Sequence, residues 1–437
     1  MNVIGKLVSV CLLVVLLAGC GSPAPAAPTA TAVPPAPTKA AATAAPSAPT
    51  QPPATAVPPT ATKPAATPAP TVNPAVDAWL KAAELGPYAP AKQDWAAIEA
   101  AARKEGKVVV YANSSRIADV KKTFEAKYPG IIVEGSDLGG DDVLIKVREE
   151  QKAGAYVADV WFSSSASGDV VGDLLPKQWL WPFVPDSLVS VVDPEARNPL
   201  LVSRYGVRVL GYNSELNKSC PVSNFWELTE PAWKGKVHIE DPLNDASTMG
   251  ILTTIASHAK EMAAAYKDRY GKDPVLEADT PDAGWLWVKM FAKNKPVMQP
   301  GGDEVTAATA SKGMKDNLIG FTSYSKYRNT QKGTIVWEPC IGLKPIIGVK
   351  TASYLAIVNR APYPNAAKLF INYVSTDPEG FAPWNVVGDY SPRTDWASPK
   401  GAIPYKDLAQ YAWSVDEAYV YKTITKMRDF WALSLLK

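Results

Sequence analysis

Short, unbroken apolar runs alternate with amphipathic helix patterns along most of this chain, and this alternation limits the fold more than any other feature. Residues 107–111 form the first apolar run, and residues 131–133 and 158–162 form the next two. Between them, as in residues 117–128, apolar side chains recur at helical spacing. Apolar runs without alternation are typical of parallel strands buried on both faces. The order therefore predicts an α/β fold with a parallel sheet between helices.

A second block of the same kind follows the first. Strands are predicted at residues 207–212, 237–240, 318–321, 346–349 and 354–358. Helices are predicted at 247–262, 284–292, 303–312, 365–374 and 416–431. The globular part begins near residue 75 and is longer than one hydrophobic core usually supports, so two lobes are expected.

The N-terminus has the pattern of an export signal. Lys6 precedes an apolar run over residues 7–18, which is too short to cross a bilayer, since a span needs about 20 residues. The run ends in Leu-Ala-Gly-Cys at Cys20 and resembles the lipobox of bacterial lipoproteins. That resemblance implies a signal peptide at 1–19 and acyl chains, such as palmitate, on Cys20. The alternative is an ordinary secretory signal with an incidental cysteine.

A Pro-, Ala- and Thr-rich segment follows this cysteine, with only Lys39 and Lys63 charged up to residue 73. It has few large apolar side chains, so burial cannot offset the entropy of ordering it. We therefore predict that residues 20–75 are a lipid anchor and a disordered linker on the extracytoplasmic face of the cell envelope.

Cysteine and charge counts narrow the remaining possibilities. Cys11 lies in the predicted signal peptide and Cys20 is the predicted lipidation site, which leaves Cys220 and Cys340. An oxidising compartment favours a disulfide between them, and two buried free thiols are the alternative. A net charge of +2 provides no basic stripe for nucleic acid, and two histidines argue against a histidine-rich metal site.

Several short segments resemble, in their order, the family 1 extracellular solute-binding proteins, and most closely the ferric-iron-binding branch. They are EGKVVVY at 105–111, FEAKYPGI at 124–131, ADV at 158–160, GYN at 211–213, WKGKV at 233–237 followed by DP at 241–242, and GDYSPR at 388–393. The resemblance implies a type 2 periplasmic-binding fold, with two α/β lobes around a ligand cleft and a two-segment hinge. Lobe one would comprise 77–205 and 350–437, and lobe two 212–344. The crossings would lie near 207–212 and 344–350.

The same resemblance implies a function. The chain would be the monomeric solute-binding component of an ABC importer, would close on its ligand, and would then dock on a membrane permease. No P-loop pattern occurs, so ATP hydrolysis would belong to another chain. No cofactor is expected, and a bound metal ion is kept only as an alternative.

Ligands of open α/β sheets bind beyond the carboxyl ends of the strands. Small polar residues follow several predicted strands, and many begin a helix, where free N–H groups favour an anion. The predicted ligand-binding residues are Asn113, Ser114, Ser115, Ser163, Ser164, Ser165, Asp241, Ser247, Thr248, Ser323 and Tyr324. Each serine taken alone could simply be a helix cap. Arg116 or Arg393 could add a bidentate clamp.

Iron is the main alternative ligand. The ferric-iron branch uses two adjacent tyrosines after the strand that corresponds to 318–321, whereas here Tyr324 and Tyr327 stand three apart with Lys326 between them. A small organic anion, such as a phosphonate-like compound, is therefore preferred over ferric iron.

An enzyme is a rival class, for example a surface hydrolase. The sequence contains no Gly-x-Ser-x-Gly or His-Glu-x-x-His pattern, and its acid pairs at 141–142 and 303–304 lie at predicted helix starts. The prediction is therefore a binding protein and not an enzyme. A surface sensor or adhesion lipoprotein with the same fold is the other rival.

Overall fold

The computed structural model describes residues 73–164, 166–408 and 410–436. The predicted signal peptide, Cys20 and nearly all of the predicted linker lie outside these residues, as does the predicted site residue Ser165. Everything below concerns the described part of the chain.

The described residues form a mixed α/β structure, as predicted. The helices are α1 (Pro74–Ala82), α2 (Trp95–Glu105), α3 (Ile117–Lys127), α4 (Gly140–Ala153), α5 (Ala246–Ser257), α6 (Ala259–Tyr270), α7 (Ala283–Lys293), α8 (Gly302–Ala310), α9 (Tyr327–Gln331), α10 (Pro364–Thr376), α11 (Pro378–Phe381), α12 (Tyr405–Leu408) and α13 (Glu417–Leu435). The strands are β1 (Lys107–Ala112), β2 (Ile132–Asp137), β3 (Val160–Ser164), β4 (Leu180–Trp181), β5 (Leu201–Asn213), β6 (Val237–Glu240), β7 (Val297–Gln299), β8 (Ile319–Ser323), β9 (Trp337–Pro339), β10 (Gly348–Val358), β11 (Asp389–Tyr390) and β12 (Ala412–Ser414).

Local signals set the two ends of α2 and the start of β1. Asp94 caps α2 by accepting a hydrogen bond from the N–H of Ala97. Gly106 ends this helix in the left-handed conformation, with a φ of 76°. The apolar strand β1 follows at once and is buried on both faces, which its unbroken run of valines predicts.

The sheet combines two parallel blocks with a central antiparallel pair. Its main strand order is β2-β1-β3-β10-β5-β8-β6-β7. The β2-β1-β3 block and the β8-β6-β7 block are each parallel. Strands β5 and β10 are antiparallel to each other and to the block that each adjoins.

These two long strands connect two hydrophobic cores. Leu201 and Val202 of β5 lie in the first core, whereas Leu210 and Tyr212 of the same strand lie in the second. In β10, Tyr354–Val358 belong to the first core, and Val349 belongs to the second. The two crossings predicted near 207–212 and 344–350 therefore lie on or beside strands that run from one core to the other.

The C-terminal helix packs on the second core, although 350–437 was predicted to belong to lobe one. Met427 and Trp431 of α13 are fully buried there, against the core that includes Trp287 and Phe291. After α10, which packs in the first core, the chain therefore returns to the second core. The order of the predicted elements gives no signal for this return.

Two predicted elements differ from the structure. The helix predicted over 247–262 is two helices, because α5 ends at Ser257 and α6 begins at Ala259 after His258. The two strands predicted at 346–349 and 354–358 are one strand, β10. Its middle residues, including Lys350, Thr351 and Ser353, are polar, and this polarity interrupts the apolar pattern although the backbone continues to pair with β5.

A disulfide joins Cys220 and Cys340 within the second core, as predicted, across 120 positions of sequence. In the described part of the chain no helix is both long and apolar enough to cross a membrane.

Candidate functional site

A polar cavity of about 400 Å³ lies where β1, β3 and β8 end and where the middle of β5 and β10 crosses between the cores. We call it the cationic cavity. Its lining residues are Asn113, Ser114, Ser115, Arg116, Asp137, Ser164, Arg204, Gly206, Arg208, Ser247, Asp303, Ser323, Ser325, Lys326, Arg328, Thr351, Ser353 and Asp389. Among these described residues five carry a positive charge and three carry a carboxylate.

The structure gathers part of the predicted site around this cavity. The predicted residues that line it are Asn113, Ser114, Ser115, Ser164, Ser247 and Ser323. They come from four different segments of the chain, which the fold brings together. The rule that ligands bind beyond the carboxyl ends of strands predicts this grouping. The side-chain amide of Asn113 donates to the hydroxyl of Ser164 at 3.1 Å, which ties the end of β1 to the end of β3.

Other predicted site residues lie elsewhere. Ser163 points into the protein and is fully buried, and Tyr324 is also buried outside the cavity lining. Thr248 is buried and donates its hydroxyl to Asp245 at 3.2 Å. Asp241 borders another cavity, of about 350 Å³.

Ser323 is a helix cap, since its hydroxyl accepts from the N–H of Ser325 at 3.3 Å, but the serines before α3 and at the start of α5 are not the caps that the sequence suggests. The N-terminus of α5 is capped by Asp245, whose carboxylate accepts from the N–H groups of Ser247 and Thr248. The N-cap position of α3 is Arg116, whose side chain makes no capping bond. The hydroxyls of Ser114 and Ser115 therefore line the cavity without capping α3.

Two half-buried arginines share one carboxylate at the first end of the cavity. Arg116 forms an ion pair with Asp389 at 2.6 Å, and the Nε of Arg204 lies 4.0 Å from the other oxygen of Asp389. Burial lowers the pKa of Arg204 to about 10; Asp389 opposes this shift, and repulsion from Arg116 adds to it. Arg204 stays charged at neutral pH, but its charge is incompletely balanced.

Arg328 adds a further cation with no ion pair to a carboxylate among the described residues. Its guanidinium instead donates to the backbone oxygen of Ser325 at 2.7 Å. Burial lowers the pKa of Arg328, and the charge of Arg116 lowers it further. Lys326 differs, because it is paired with Asp303 at 2.7 Å.

Arg208 is also a paired cation. It forms a short hydrogen bond with Glu240 and lies 3.4 Å from Asp245. Burial opposes its charge, but Glu240 and Asp245 outweigh burial and raise the pKa of Arg208. This arginine therefore holds β5, β6 and the start of α5 together.

The arginines of β5 were missed by the sequence analysis. Arg204, Gly206 and Arg208 alternate along the strand, so all three face the same side and line the cavity. Gly206 leaves space between the two arginines. The predicted strand began only at residue 207, but the alternation from 204 to 208 is a signal that could have placed both arginines at the hinge.

A close approach of two loops positions Asp389. Gly388 has a φ of 92°, and a Cβ at this residue would lie 2.4 Å from the backbone nitrogen of Ser325. Only glycine can adopt this positive φ and also avoid contact with Ser325 without displacing the loop after β8. The glycine thus brings Asp389 next to the cations from β5 and α3.

A second cavity, of about 450 Å³, adjoins the first and shares Asn113, Ser164, Arg208 and Ser247 with it. We call it the acidic cavity, since its lining adds Asp141, Asp142, Asp169, Glu240 and Asp245. Asp141 accepts a hydrogen bond from the N–H of Ala246 at 3.4 Å. Burial raises the pKa of Asp141.

The tyrosines that could bind ferric iron do not line either of these two cavities. Their ring centroids are 6.1 Å apart, and the hydroxyl of Tyr327 donates to Glu338 at 3.4 Å. Burial raises the pKa of Tyr324 to about 12, and it raises the pKa of Tyr327 as well, so neither phenolate is favoured. In the described ranges no group of three or more His, Cys, Asp and Glu side chains could hold a metal ion.

Solved structures establish the fold class. AfuA of Actinobacillus pleuropneumoniae, with fructose-6-phosphate bound, aligns with a TM-score of 0.60 at 16% identity, over 76% of this chain and 99% of that protein. Iron-bound HitA of Pseudomonas aeruginosa aligns with a TM-score of 0.58 at 16% identity, over 75% and 99%. AgtB of A. tumefaciens R10, in complex with agropinic acid, gives 0.53 at 15% identity, over 76% and 99%. The chain has the type 2 periplasmic-binding fold that its sequence predicts.

The sequence itself assigns the family. The profile of the bacterial extracellular solute-binding proteins matches residues 107–381, and the chain belongs to this family. A comparison with curated protein sequences finds no match.

Proposed function

We propose that this protein captures a small organic anion with a phosphate or phosphonate group and delivers it to an ABC importer. One observation carries this proposal: the cationic cavity is lined by five cations and three carboxylates, and two of its arginines lack a carboxylate of their own. Guanidinium groups match the geometry of phosphate oxygens and bind them bidentately.

The protein's own charges favour an anion as the ligand. Arg116 and Arg204 compete for Asp389, and Arg328 lies close enough to Arg116 for its pKa to be lowered. A phosphate between these three side chains would relieve their repulsion, since each could then donate to it. The hydroxyls of Ser114, Ser115 and Ser323 line the same cavity and can donate as well.

The acidic cavity suggests what the other end of the ligand carries. Its carboxylates accept hydrogen bonds, so they suit hydroxyl groups or an amine. Asn113 borders both cavities, and its side-chain oxygen is buried without a hydrogen-bond partner among the described residues. A ligand hydroxyl could donate to this oxygen. A phosphorylated polyol or a phosphorylated amine meets both requirements.

Ferric iron is less well supported. Neither Tyr324 nor Tyr327 lines these cavities, and burial disfavours both phenolates. The cations around Asp389 would also repel a bare Fe³⁺ ion.

Capture would proceed by closure of two lobes, 77–205 with the part of 350–437 that precedes α13, and 212–344 with α13, which packs on the second core. Strands β5 and β10 are the only long strands that enter both cores in the described structure, so bending them would move one core toward the other. Ligand that bridges Arg116 from α3 and Arg328 from α9 would stabilise the closed state. The proposed function is binding and delivery of a ligand, and it assigns no catalytic role to any residue.

We also propose that Cys20 is lipidated and that the following linker raises the domain above the membrane, on the extracytoplasmic face. A Cys20→Ser chain should then leave the membrane fraction for the soluble fraction, with its fold unchanged. Retention of this variant in the membrane fraction would exclude the lipid anchor.

A thermal-shift screen of the full chain tests the ligand class. Phosphorylated polyols and amines should raise the melting temperature, and native mass spectrometry should show one bound molecule. Arg204→Met should reduce the shift, whereas Arg360→Met, an arginine stacked on Tyr156 outside the cavity, should keep it. Stabilisation by Fe³⁺ alone would contradict the proposal.

A further inference from the structure

Apart from the cavities described above, the described residues form a cavity of about 330 Å³ behind β11. We call it the aromatic cavity. Successive side chains of a strand point to opposite faces. Accordingly, Asp389 lines the cationic cavity and Tyr390 lines the aromatic one. The two cavities are therefore separated by β11 and share no lining residue.

Four aromatic rings line this cavity. Phe381 and Trp396 lie 5.2 Å apart with their planes tilted by 51°, and Tyr390 and Tyr405 lie 5.6 Å apart with a tilt of 39°. Trp396 is partly exposed and carries the guanidinium of Arg393 4.4 Å from its ring centre. The rings give the cavity an apolar wall against which a ligand can pack.

Polar groups stand at the edge of these rings. Asn385, Ser391 and Ser398 contribute an amide and two hydroxyls. Tyr390 is 1% exposed, and its hydroxyl is buried with no hydrogen-bond partner among the described residues. The groups that a ligand in the cavity can reach are therefore the Asn385 amide and the hydroxyls of Ser391 and Ser398.

The cavity carries no net charge, in contrast to the cleft. Its charged lining residues are Arg393 and Asp395, and they neutralise each other through two hydrogen bonds of 2.9 and 2.7 Å. An ionised ligand would have no counter-charge here. A volume of this size lies within the usual range of small-molecule pockets, about 300–1,000 Å³.

We infer that the aromatic cavity is a second ligand site, for a neutral saccharide. A pyranose ring combines an apolar C–H face, which packs on aromatic rings, with a rim of hydroxyls, which hydrogen-bond to groups such as Asn385, Ser398 and Asp395. The site is independent of the anion site in the cleft.

Saturation-transfer difference NMR on the full chain tests this site with maltose, cellobiose and N,N′-diacetylchitobiose as probes, and with adenosine as a planar aromatic comparison. At least one saccharide should show transfer, strongest at its C–H protons. Trp396→Ala should weaken binding roughly tenfold, because it removes a stacking face. Arg204→Met, in the cleft, should leave saccharide binding unchanged.

Ala397→Trp provides a second variant that removes no packing, since Ala397 is exposed at the rim and a larger side chain there blocks entry. It should abolish saccharide transfer while the melting temperature stays that of the unchanged protein. Transfer to none of the three saccharides, transfer to adenosine alone, or transfer unaffected by Ala397→Trp would each overturn the inference.

Discussion

The two arginines of β5 should respond in opposite ways to replacement by methionine. Arg204 is buried with only a shared carboxylate, and its pKa of about 10 corresponds to roughly 3 kcal/mol of destabilisation of the charged form. Methionine would keep contact with Phe162 and Trp384, whose ring centres lie 5.7 and 5.3 Å from the guanidinium carbon. Asp389 would keep Arg116 as its partner. The free energy of unfolding of Arg204→Met should therefore be unchanged or higher by up to about 2 kcal/mol.

Ligand binding should respond to the same change in the other direction. A hydrogen bond between a guanidinium and a charged ligand contributes about 1.5–3 kcal/mol. Arg204→Met should therefore weaken a phosphorylated ligand roughly 10- to 150-fold. Isothermal titration calorimetry with glucose 6-phosphate, and with ethanolamine phosphate as the amine-bearing probe, measures this loss.

Arg208→Met is the matched control. It would leave the largely buried Glu240 and the partly exposed Asp245 without their cation, which should cost up to about 3 kcal/mol. Urea unfolding, followed by tryptophan fluorescence, separates the two variants. If Arg204→Met is destabilised as strongly as Arg208→Met and still binds ligand, Arg204 is structural and the reasoning is refuted.

Three further predictions concern the framework around the site. Replacing Cys220 and Cys340 by alanine should lower the free energy of unfolding by about 4 kcal/mol, because the disulfide closes a loop of 120 positions; a loss below 1 kcal/mol in urea would be inconsistent with this. Burial raises the pKa of Asp159 to about 7, so the folded state keeps this proton up to a higher pH than the unfolded state does. The free energy of unfolding should therefore fall by up to roughly 4 kcal/mol as pH rises from about 4 to 7. The free energy of unfolding should depend less steeply on pH in Asp159→Asn, and an equal slope in both proteins would disprove this assignment to Asp159. Gly388→Ala should cost about 2 kcal/mol more than Gly130→Ala, since both have a left-handed φ but only the first Cβ meets neighbouring atoms, and thermal unfolding of both variants decides this.

The apolar patterns predicted most of the fold because burial dictates them locally. The run at β1, the helical stripe of α3 and the strand β6 each lie within a few residues of their predicted positions. A predicted strand is interrupted where polar residues break the apolar pattern although the backbone strand continues. The middle of β10 is an example, since Thr351 and Ser353 face the cleft and Lys350 lies over the Tyr205 ring.

The candidate site was partly predictable for a similar reason. The rule that ligands bind beyond strand ends identified Asn113, Ser114 and Ser164, all of which line the cationic cavity. It could not identify Arg204, because this residue lies within a strand that crosses between cores and not at a strand end. Nor could it identify Asp389, since only the fold brings the loop at Gly388 against Ser325.

The position of a bound ligand tests the central claim most directly. A crystal structure of the full chain grown with glucose 6-phosphate should show the phosphate in contact with Arg116, Arg204 and Arg328 and the sugar hydroxyls toward Asp141 and Asp245. Density for an ion on Tyr324 and Tyr327, or a phosphate bound outside the cationic cavity, would contradict the account.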